Sequence, residues 1–201
     1  MATSMIYVVD DDDLLRRTLG SLLENFGYTV CLCASAAEFL ERYDPQPQEC
    51  LILDIQMPAM NGLELQKVMN SRGITIPTII MTGHGDISMA VSAMKVGARD
   101  FLEKPFNEEH LLSIIREILS RQSDTSADDA GDGIKKLSVL TPRELEIAHL
   151  ICDGRQNKQI AADLGISSRT VENHRARIMQ KLEVKTASQL IRLILAAGNR
   201  N

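Results

Sequence analysis

Five side chains spread along the chain share the chemistry of holding and moving a phosphoryl group: Asp10, Asp11, Asp54, Thr82 and Lys104. Carboxylates brought together repel one another unless a cation sits among them, and an oxygen-rich site with few protein ligands suits Mg2+. A divalent cation beside a lysine and a hydroxyl is what phosphoryl transfer needs, because the charge on the equatorial oxygens is stabilised by positioned cations and donors. Taken singly, each residue has a plainer reading, since an aspartate ending a strand usually serves as a turn or helix-cap residue. The chemical reading depends on all five meeting at one place.

The elements that would bring them together are legible as alternation. Short apolar runs rich in branched residues, IYVV (6–9), TVCLC (29–33), CLILD (50–54), TIIM (78–81) and DFLE (100–103), alternate with segments of helical period at 14–26, 36–42, 63–71, 87–96 and 108–121. Gly27, Gly73 and Gly97 close several of these helices. Five βα units in succession predict an α/β fold, a parallel sheet with helices on both faces, whose ligands bind beyond the carboxyl ends of the strands. Asp10 and Asp11 close the first strand, Asp54 closes the third, Thr82 closes the fourth and Lys104 follows the fifth. All five therefore fall on one edge. Asp12 and Asp13 complete a run of four aspartates but begin a helix, where the dipole and exposed amides favour carboxylates. Met57 and Met60 read as loop packing.

Composition bounds the rest. A chain of 201 residues with 44% hydrophobic and 24% charged residues suits two small globular domains, and no apolar run is long enough to span a bilayer. No secretion signal is visible at the N-terminus, which predicts a cytoplasmic protein without a membrane partner. Cys31, Cys33, Cys50 and Cys152 form no CxxC pair and read as reduced, mostly buried thiols. The net charge of -5 hides an asymmetry: residues 1–121 carry 10 Lys+Arg against 17 Asp+Glu, residues 122–136 carry 2 against 4, and residues 137–201 carry 10 against 6. A polyanion is a plausible partner only for the basic last part. Between the two parts, QSDTSADDAGDGI (122–134) holds one apolar residue larger than alanine, so 122–136 reads as a flexible acidic linker.

VVDDD, LDIQMPAMNG around Asp54, MTGHGD around Thr82 and FLEKPF around Lys104 resemble, in order and spacing, the receiver domain of two-component response regulators. The resemblance covers about residues 5–121, and GHGDISMAVSAMKVGARDFLEKPF is closest to FixJ-type receivers. It implies a flavodoxin-like domain over 1–121 with a five-stranded sheet in the order 2-1-3-4-5. Asp54 would be the phosphoacceptor, attacking a phosphohistidine of a sensor histidine kinase, with Thr82 and Lys104 completing the catalytic set. Asp11, Asp54 and the main-chain oxygen of Gln56 would hold Mg2+ or Mn2+, with Asp10 acting directly or through water. The Lys104–Pro105 bond would be cis, an isomer tolerated essentially only before proline. Thr82 and Phe101 would form the switch, and Val91, Lys95, Asp100 and Glu103 would lie on a face used for dimerisation. His84 is expected to affect at most the lifetime of the phosphoryl group.

The last part, 137–201, shows helical period alone, at 142–152, 157–164, 168–182 and 187–197. Thr141-Pro142 with Glu144 marks a helix start, Gly154 its end, Gly165 a turn between helices, and Ser168 is expected to cap the helix that follows. On that helix Val171, Ile178 and Leu182 share one face, so Arg169, Glu172, Asn173, Ala176, Arg177 and Gln180 lie opposite, a set able to read base edges and grip phosphates. LTPRELEIAHLICDGRQNKQIAADLGISSRTVENHRARIMQKLEV (140–184) resembles the helix-turn-helix domain of LuxR/NarL-type regulators. The resemblance implies an all-α, four-helix DNA-binding domain. Its base contacts would fall at Glu172, Asn173 and Ala176; Lys158, Arg175 and Lys181 would meet phosphates; Ser168, Arg169, Thr170 and Arg177 would complete the surface, and His174 would be structural.

Together these readings predict a phosphorylation-activated transcriptional regulator, not an enzyme, which dimerises when phosphorylated and binds promoter DNA, with RNA polymerase a further partner. Two alternatives stand beside it. One is a receiver whose helical domain binds protein or ignores phosphate. The other is a Mg2+-dependent phosphatase built on Asp10 and Asp12, against which Leu14 occupies the position where such an enzyme needs a threonine or similar residue.

Overall fold

The computed structural model describes residues 4–83, 87–123, 137–184 and 186–198, which form two compact units. In the first, β1 (Met5–Val9), β2 (Thr29–Cys33), β3 (Glu49–Asp54), β4 (Thr78–Thr82) and β5 (Asp100–Glu103) make one parallel sheet in the order β2-β1-β3-β4-β5. The central strands read as unbroken apolar runs because a parallel sheet is covered on both faces. Alternate residues then serve opposite sides. Ile6, Val8, Cys50, Ile52, Ile79, Met81 and Leu102 pack with Leu19 and Leu23 of α1 (Asp13–Asn25) and Leu111, Ile115 and Ile118 of α5 (Glu108–Ser123). On the other side Tyr7 stacks edge-to-face with Phe39 of α2 (Ala36–Arg42), their ring centroids 5.4 Å apart. Each fully buried aliphatic side chain contributes about 1.5–3 kcal/mol relative to exposure, so the core fixes the position of the strand ends.

Register aligns those ends. Val9 lies beside Cys33 and Leu53, Asp54 beside Met81, and Thr82 beside Glu103. Asp10, Asp54, Thr82 and Lys104 therefore share one edge, as the sequence predicts. Local chemistry starts the helices that leave it. Asp12 caps α1, its carboxylate accepting from the Leu14 and Leu15 amides, and Asp13 pairs with Arg16 and Arg17. The Asn61 side chain and Glu64 form a reciprocal capping box at the start of α3 (Gly62–Ser71). α4 spans Ile87–Val96.

α5 continues to Ser123, two residues beyond the helix read from sequence, and Gln122 is part of the sheet unit. Its carboxamide accepts from the Glu49 amide at 3.0 Å and donates to the Glu49 carbonyl at 2.8 Å, hydrogen bonds that a linker residue would not make. The remainder of the expected linker, 124–136, lies outside the described residues, as does His84.

The second unit takes in α4 as far as Lys95 together with α6 (Pro142–Cys152), α7 (Asn157–Leu164), α8 (Ser168–Lys181) and α9 (Ala187–Gly198). Thr141 and Glu144 form the expected capping box with Pro142 at the first helical position. Gly165, at φ +65, ends α7 in the left-handed conformation that glycine adopts without strain. The cap of α8 differs from expectation. The Ser167 hydroxyl accepts from the Thr170 amide, and Ser168 is already the first helical residue. Two adjacent serines offer the same cap chemistry, and the extended backbone of Ser167, φ -79 and ψ 153, decides between them. All four cysteines are free, with Cys33, Cys50 and Cys152 buried. Among the described residues no helix is long and apolar enough to cross a membrane.

Candidate functional site

Lys104 lies at the centre of the acidic edge. Its ammonium donates to Asp10 Oδ2 and to Asp54 Oδ1, both at 2.8 Å, while Asp10 and Asp54 are 1% and 5% exposed. Asp11 stands exposed beside them, and carboxylate oxygens of Asp10, Asp11 and Asp54 lie within 4.8 Å of one another. Asp10 is fixed from two further directions: its Oδ1 accepts from the Asp12 amide at 2.8 Å, and its carbonyl accepts from the Arg16 guanidinium at 2.7 Å. The four aspartates that follow β1 thus divide into two that face the pocket and two that serve α1.

The other expected residues stand around this centre. Thr82 is buried at the end of β4, its hydroxyl only 3.4 Å from the Gly83 carbonyl, too long for a strong hydrogen bond, and its carbonyl accepts from the Lys104 amide at 2.7 Å. Gln56 is exposed on the loop after β3. The Lys104–Pro105 bond is cis. Phe101 is half-buried, between exposed and core positions. Of the residues expected on a dimer face, Lys95 and Glu103 are exposed, whereas Val91 and Asp100 are buried. Asp100 turns inward onto the backbone and accepts from the Phe101 amide at 2.8 Å.

Gly62 is a positioning residue that sequence reasoning missed. A Cβ there would come within 2.5 Å of the Asp54 carbonyl oxygen and 2.9 Å of Ile55 Cα, and the Gly62 amide donates to the Ile55 carbonyl at 3.0 Å. The first turn of α3 therefore lies directly against the backbone of Asp54, a closeness only glycine permits. A glycine two residues after Met60 in a turn-rich loop was the available signal.

Electrostatics follow from this crowding. Burial raises the Asp54 carboxyl above its ordinary range, the Lys104 hydrogen bond and charge pull it back, and the charges of Asp10 and Asp11 push it up again. Burial opposes the charge on Lys104, but the hydrogen bonds and charges of Asp10 and Asp54 outweigh it and raise the ammonium above its usual value. Three carboxylates face one ammonium, so negative charge is in excess. This donor set fits a hard divalent cation, and the exposed Asp11 leaves one side of the cluster open to solvent.

In the helical unit, Val171, Ile178 and Leu182 are buried, and Arg169, Glu172, Asn173, Ala176, Arg177 and Gln180 are all exposed on α8. Lys158 on α7 is also exposed. Ser168 and Thr170 lie half-exposed at the start of α8. Two residues expected at phosphates are already engaged. Arg175 donates to Asn157 Oδ1 at 2.9 Å, tying α8 to α7, and Lys181 pairs with Glu144 at 2.7 Å. Hydrogen bonds from Lys181 and from the Thr141 backbone hold the Glu144 carboxyl down at about 2. Glu144 thus both caps α6 and anchors the end of α8. His174 is half-buried with Nδ1 enclosed and without a protein partner among the described residues.

Comparison with known proteins agrees with both units. Residues 6–116 match the response regulator receiver domain, and residues 138–194 match the bacterial regulatory proteins of the luxR family. The chain is 43% identical to the transcriptional regulatory protein FixJ of Azorhizobium caulinodans over 96% of its own length and 92% of that protein's. It is 40% identical to the response regulator protein TodT of Pseudomonas putida, covering 94% of this chain and 85% of the relative. Among solved structures, full-length FixJ from B. japonicum aligns over 100% of both chains with 38% identity and a TM-score of 0.57. By name, FixJ is a transcriptional regulatory protein and TodT a response regulator. By its receiver, its LuxR-type helix-turn-helix unit and the full-length span of its FixJ relatives, the chain belongs to the two-component response regulators of the NarL/FixJ family and is a phosphorylation-dependent regulator of transcription.

Proposed function

We propose that Asp54 is the phosphoacceptor and that phosphorylation there controls dimerisation and DNA binding. The observation that carries this reading is the Lys104 ammonium bridging two buried carboxylates at 2.8 Å each, with a third carboxylate exposed beside them. An Asp54 carboxylate oxygen attacks the phosphorus of a phosphohistidine on a sensor histidine kinase. The new O–P bond forms as the P–N bond breaks, and the electron pair stays on the imidazole nitrogen, which then takes a proton. Asp10, Asp11, Asp54 and the main-chain oxygen of Gln56 would hold Mg2+ or Mn2+, which supplies charge neutralisation for the phosphoryl oxygens when bound. Lys104 exchanges one carboxylate contact for a phosphoryl oxygen. The weakly held Thr82 hydroxyl supplies a second donor.

Movement of Thr82 towards the phosphoryl group vacates space for Phe101, shifting a pre-existing equilibrium towards a form that pairs through a surface including Lys95 and Glu103. Val91 and Asp100 join that surface only if they become exposed in the phosphorylated form. A dimer joins two weak DNA-binding modules and gains affinity from their linkage. On each α8, Glu172, Asn173 and Ala176 face base edges, flanked by Arg169, Arg177, Ser168 and Thr170, while Lys158 meets phosphate. Arg175 and Lys181 hold α8 in place and reach phosphate only by giving up Asn157 and Glu144. Promoter DNA, a cytoplasmic setting and contact with RNA polymerase complete the proposal.

The test is selection of bound sequences from random DNA by the phosphorylated chain, with light scattering in parallel. A dimer and an enriched motif are expected, with Asn173→Ala and Glu172→Ala altering the preferred bases and Lys158→Ala reducing the salt dependence without altering them. Equal loss by all three variants on selected and random DNA would reject this division of roles, and an unchanged monomer would reject the dimer.

A further inference from the structure

We propose that Arg16 is a positioning residue for the acidic site: by holding the peptide between Asp10 and Asp11 it aims the Asp11 carboxylate at the divalent cation, on the reading that Asp10, Asp11 and Asp54 hold that cation. β1 ends at Val9, so the ladder that fixes its backbone stops one residue before the site. Beyond it the Asp10 amide reaches the Cys33 carbonyl at 3.3 Å, just outside the usual hydrogen-bond range. The firm contact lies on the other side of the residue, where Arg16 Nη1 donates to the Asp10 carbonyl at 2.7 Å. A peptide unit is planar, so holding that carbonyl restrains the whole Asp10–Asp11 plane and with it the Cα of Asp11. Asp10 has further anchors, because Lys104 and the Asp12 amide each take one of its carboxylate oxygens. No hydrogen bond among the described residues holds the Asp11 carboxylate. Yet one of its oxygens lies within 4.8 Å of oxygens of Asp10 and Asp54. Its place is therefore set by the backbone, which Arg16 restrains.

Arg16 differs from an ordinary surface arginine. Arg17 beside it has a side chain 73% exposed and pairs with Asp13, an arrangement that contributes little. The Arg16 side chain is 12% exposed, and its second arm, Nη2, donates to Asp13 Oδ1 at 2.7 Å. The guanidinium fork thus joins the start of α1 to the end of β1, a geometry that the compact ammonium of lysine does not reproduce. Charge and position act in opposite directions here. A fixed positive charge beside a cation site repels the cation, so Arg16 acting as charge alone weakens metal binding. Acting as an anchor for Asp11, it strengthens metal binding. The two roles differ in sign, and removal of the side chain separates them.

Calorimetric titration of the full chain with Mn2+ reads that sign, with tyrosine fluorescence establishing beforehand that each variant is folded. Arg16→Met is expected to weaken Mn2+ binding about tenfold or more, the usual cost of losing a group that orients a metal ligand, although it removes a positive charge. Arg16→Lys, which keeps the charge without the fork, is expected to weaken binding as well. Asp11→Asn should also weaken binding, and Arg16→Met added to it should cost only about twofold or less further, because no carboxylate is left to aim. A residue that acted only by stabilising the fold would cost the same in both backgrounds. Unchanged or tighter binding by Arg16→Met overturns the proposal, as does an equal loss with and without the Asp11 carboxylate. A wild-type chain that takes up no Mn2+, or an Asp11→Asn chain that binds it as tightly as wild type, overturns the reading of the acidic site and the proposal with it.

Discussion

Replacing Lys104 by methionine isolates the charge balance on which the acidic site depends. The substitution keeps an unbranched apolar stem and removes the ammonium, leaving Asp10 and Asp54, 1% and 5% exposed, facing each other without their shared cation. Hydrogen bonds to charged groups contribute about 1.5–3 kcal/mol each. The Lys104 side chain is 26% exposed, which places its two bonds at the lower end, about 3 kcal/mol together. The expected loss in metal-free buffer at neutral pH is therefore about 3 kcal/mol, or a fall in urea midpoint of about 1.5 M at a slope of about 2 kcal/mol/M. Tyrosine fluorescence can report this transition alone, because the chain has no tryptophan and its three tyrosines, Tyr7, Tyr28 and Tyr43, all lie in the receiver. The loss also carries a pH signature. Burial already holds the Asp54 carboxyl above its ordinary range, and removal of Lys104 takes away what pulls it back, so the variant regains stability as pH falls from 7 towards 5 and its deficit shrinks. A deficit below about 1 kcal/mol, or one equal at pH 5 and pH 7, would refute the reasoning by showing that Lys104 contributes packing and not charge.

Gly62→Ala places a methyl group 2.5 Å from the Asp54 carbonyl oxygen, so a loss of about 1–3 kcal/mol from overpacking is expected together with slower phosphoryl labelling; wild-type values of both would show that α3 can move away freely. Glu144 has its folded-state carboxyl lowered from 4.5 to about 2, so the stability it contributes is present above about 4.5 and is lost as pH falls through about 2. Glu144→Gln should flatten that part of the acid-unfolding curve of the helical unit, followed by amide exchange in α6 and α8, and an unchanged curve would remove the Lys181 pair from the account.

What the sequence disclosed and what it concealed have separate physical causes. The five strands were legible because a doubly covered parallel sheet demands continuous apolar runs, and the pocket was legible because Asp10, Asp54, Thr82 and Lys104 occupy strand ends that register brings level. The capping box at Thr141 and Glu144 was equally local, and so was the polar outer face of α8. Other features depend on contacts between residues distant in sequence or on the local course of the backbone. The Glu144–Lys181 pair spans 37 positions and converts an expected phosphate contact into a brace between helices. Gln122 reads as linker by composition and joins the sheet unit through Glu49. Asp100 looks like a surface charge and turns onto its own backbone. Gln66, polar by type, falls on a helical stripe that periodicity reserves for apolar residues. The cap at Ser167 was missed by one position, because adjacent serines can be distinguished only by backbone conformation.

The most direct test of the central claim is labelling of the full chain with acetyl phosphate and Mg2+, with the modified residue located by mass spectrometry of borohydride-reduced peptides. A single phosphoryl group on Asp54 is expected in the wild-type chain, with none on Asp54→Asn although that variant keeps the wild-type tyrosine fluorescence. Undiminished labelling of Asp54→Asn, or a phosphoryl group found on Asp10 or Asp11 in the wild type, would contradict the account.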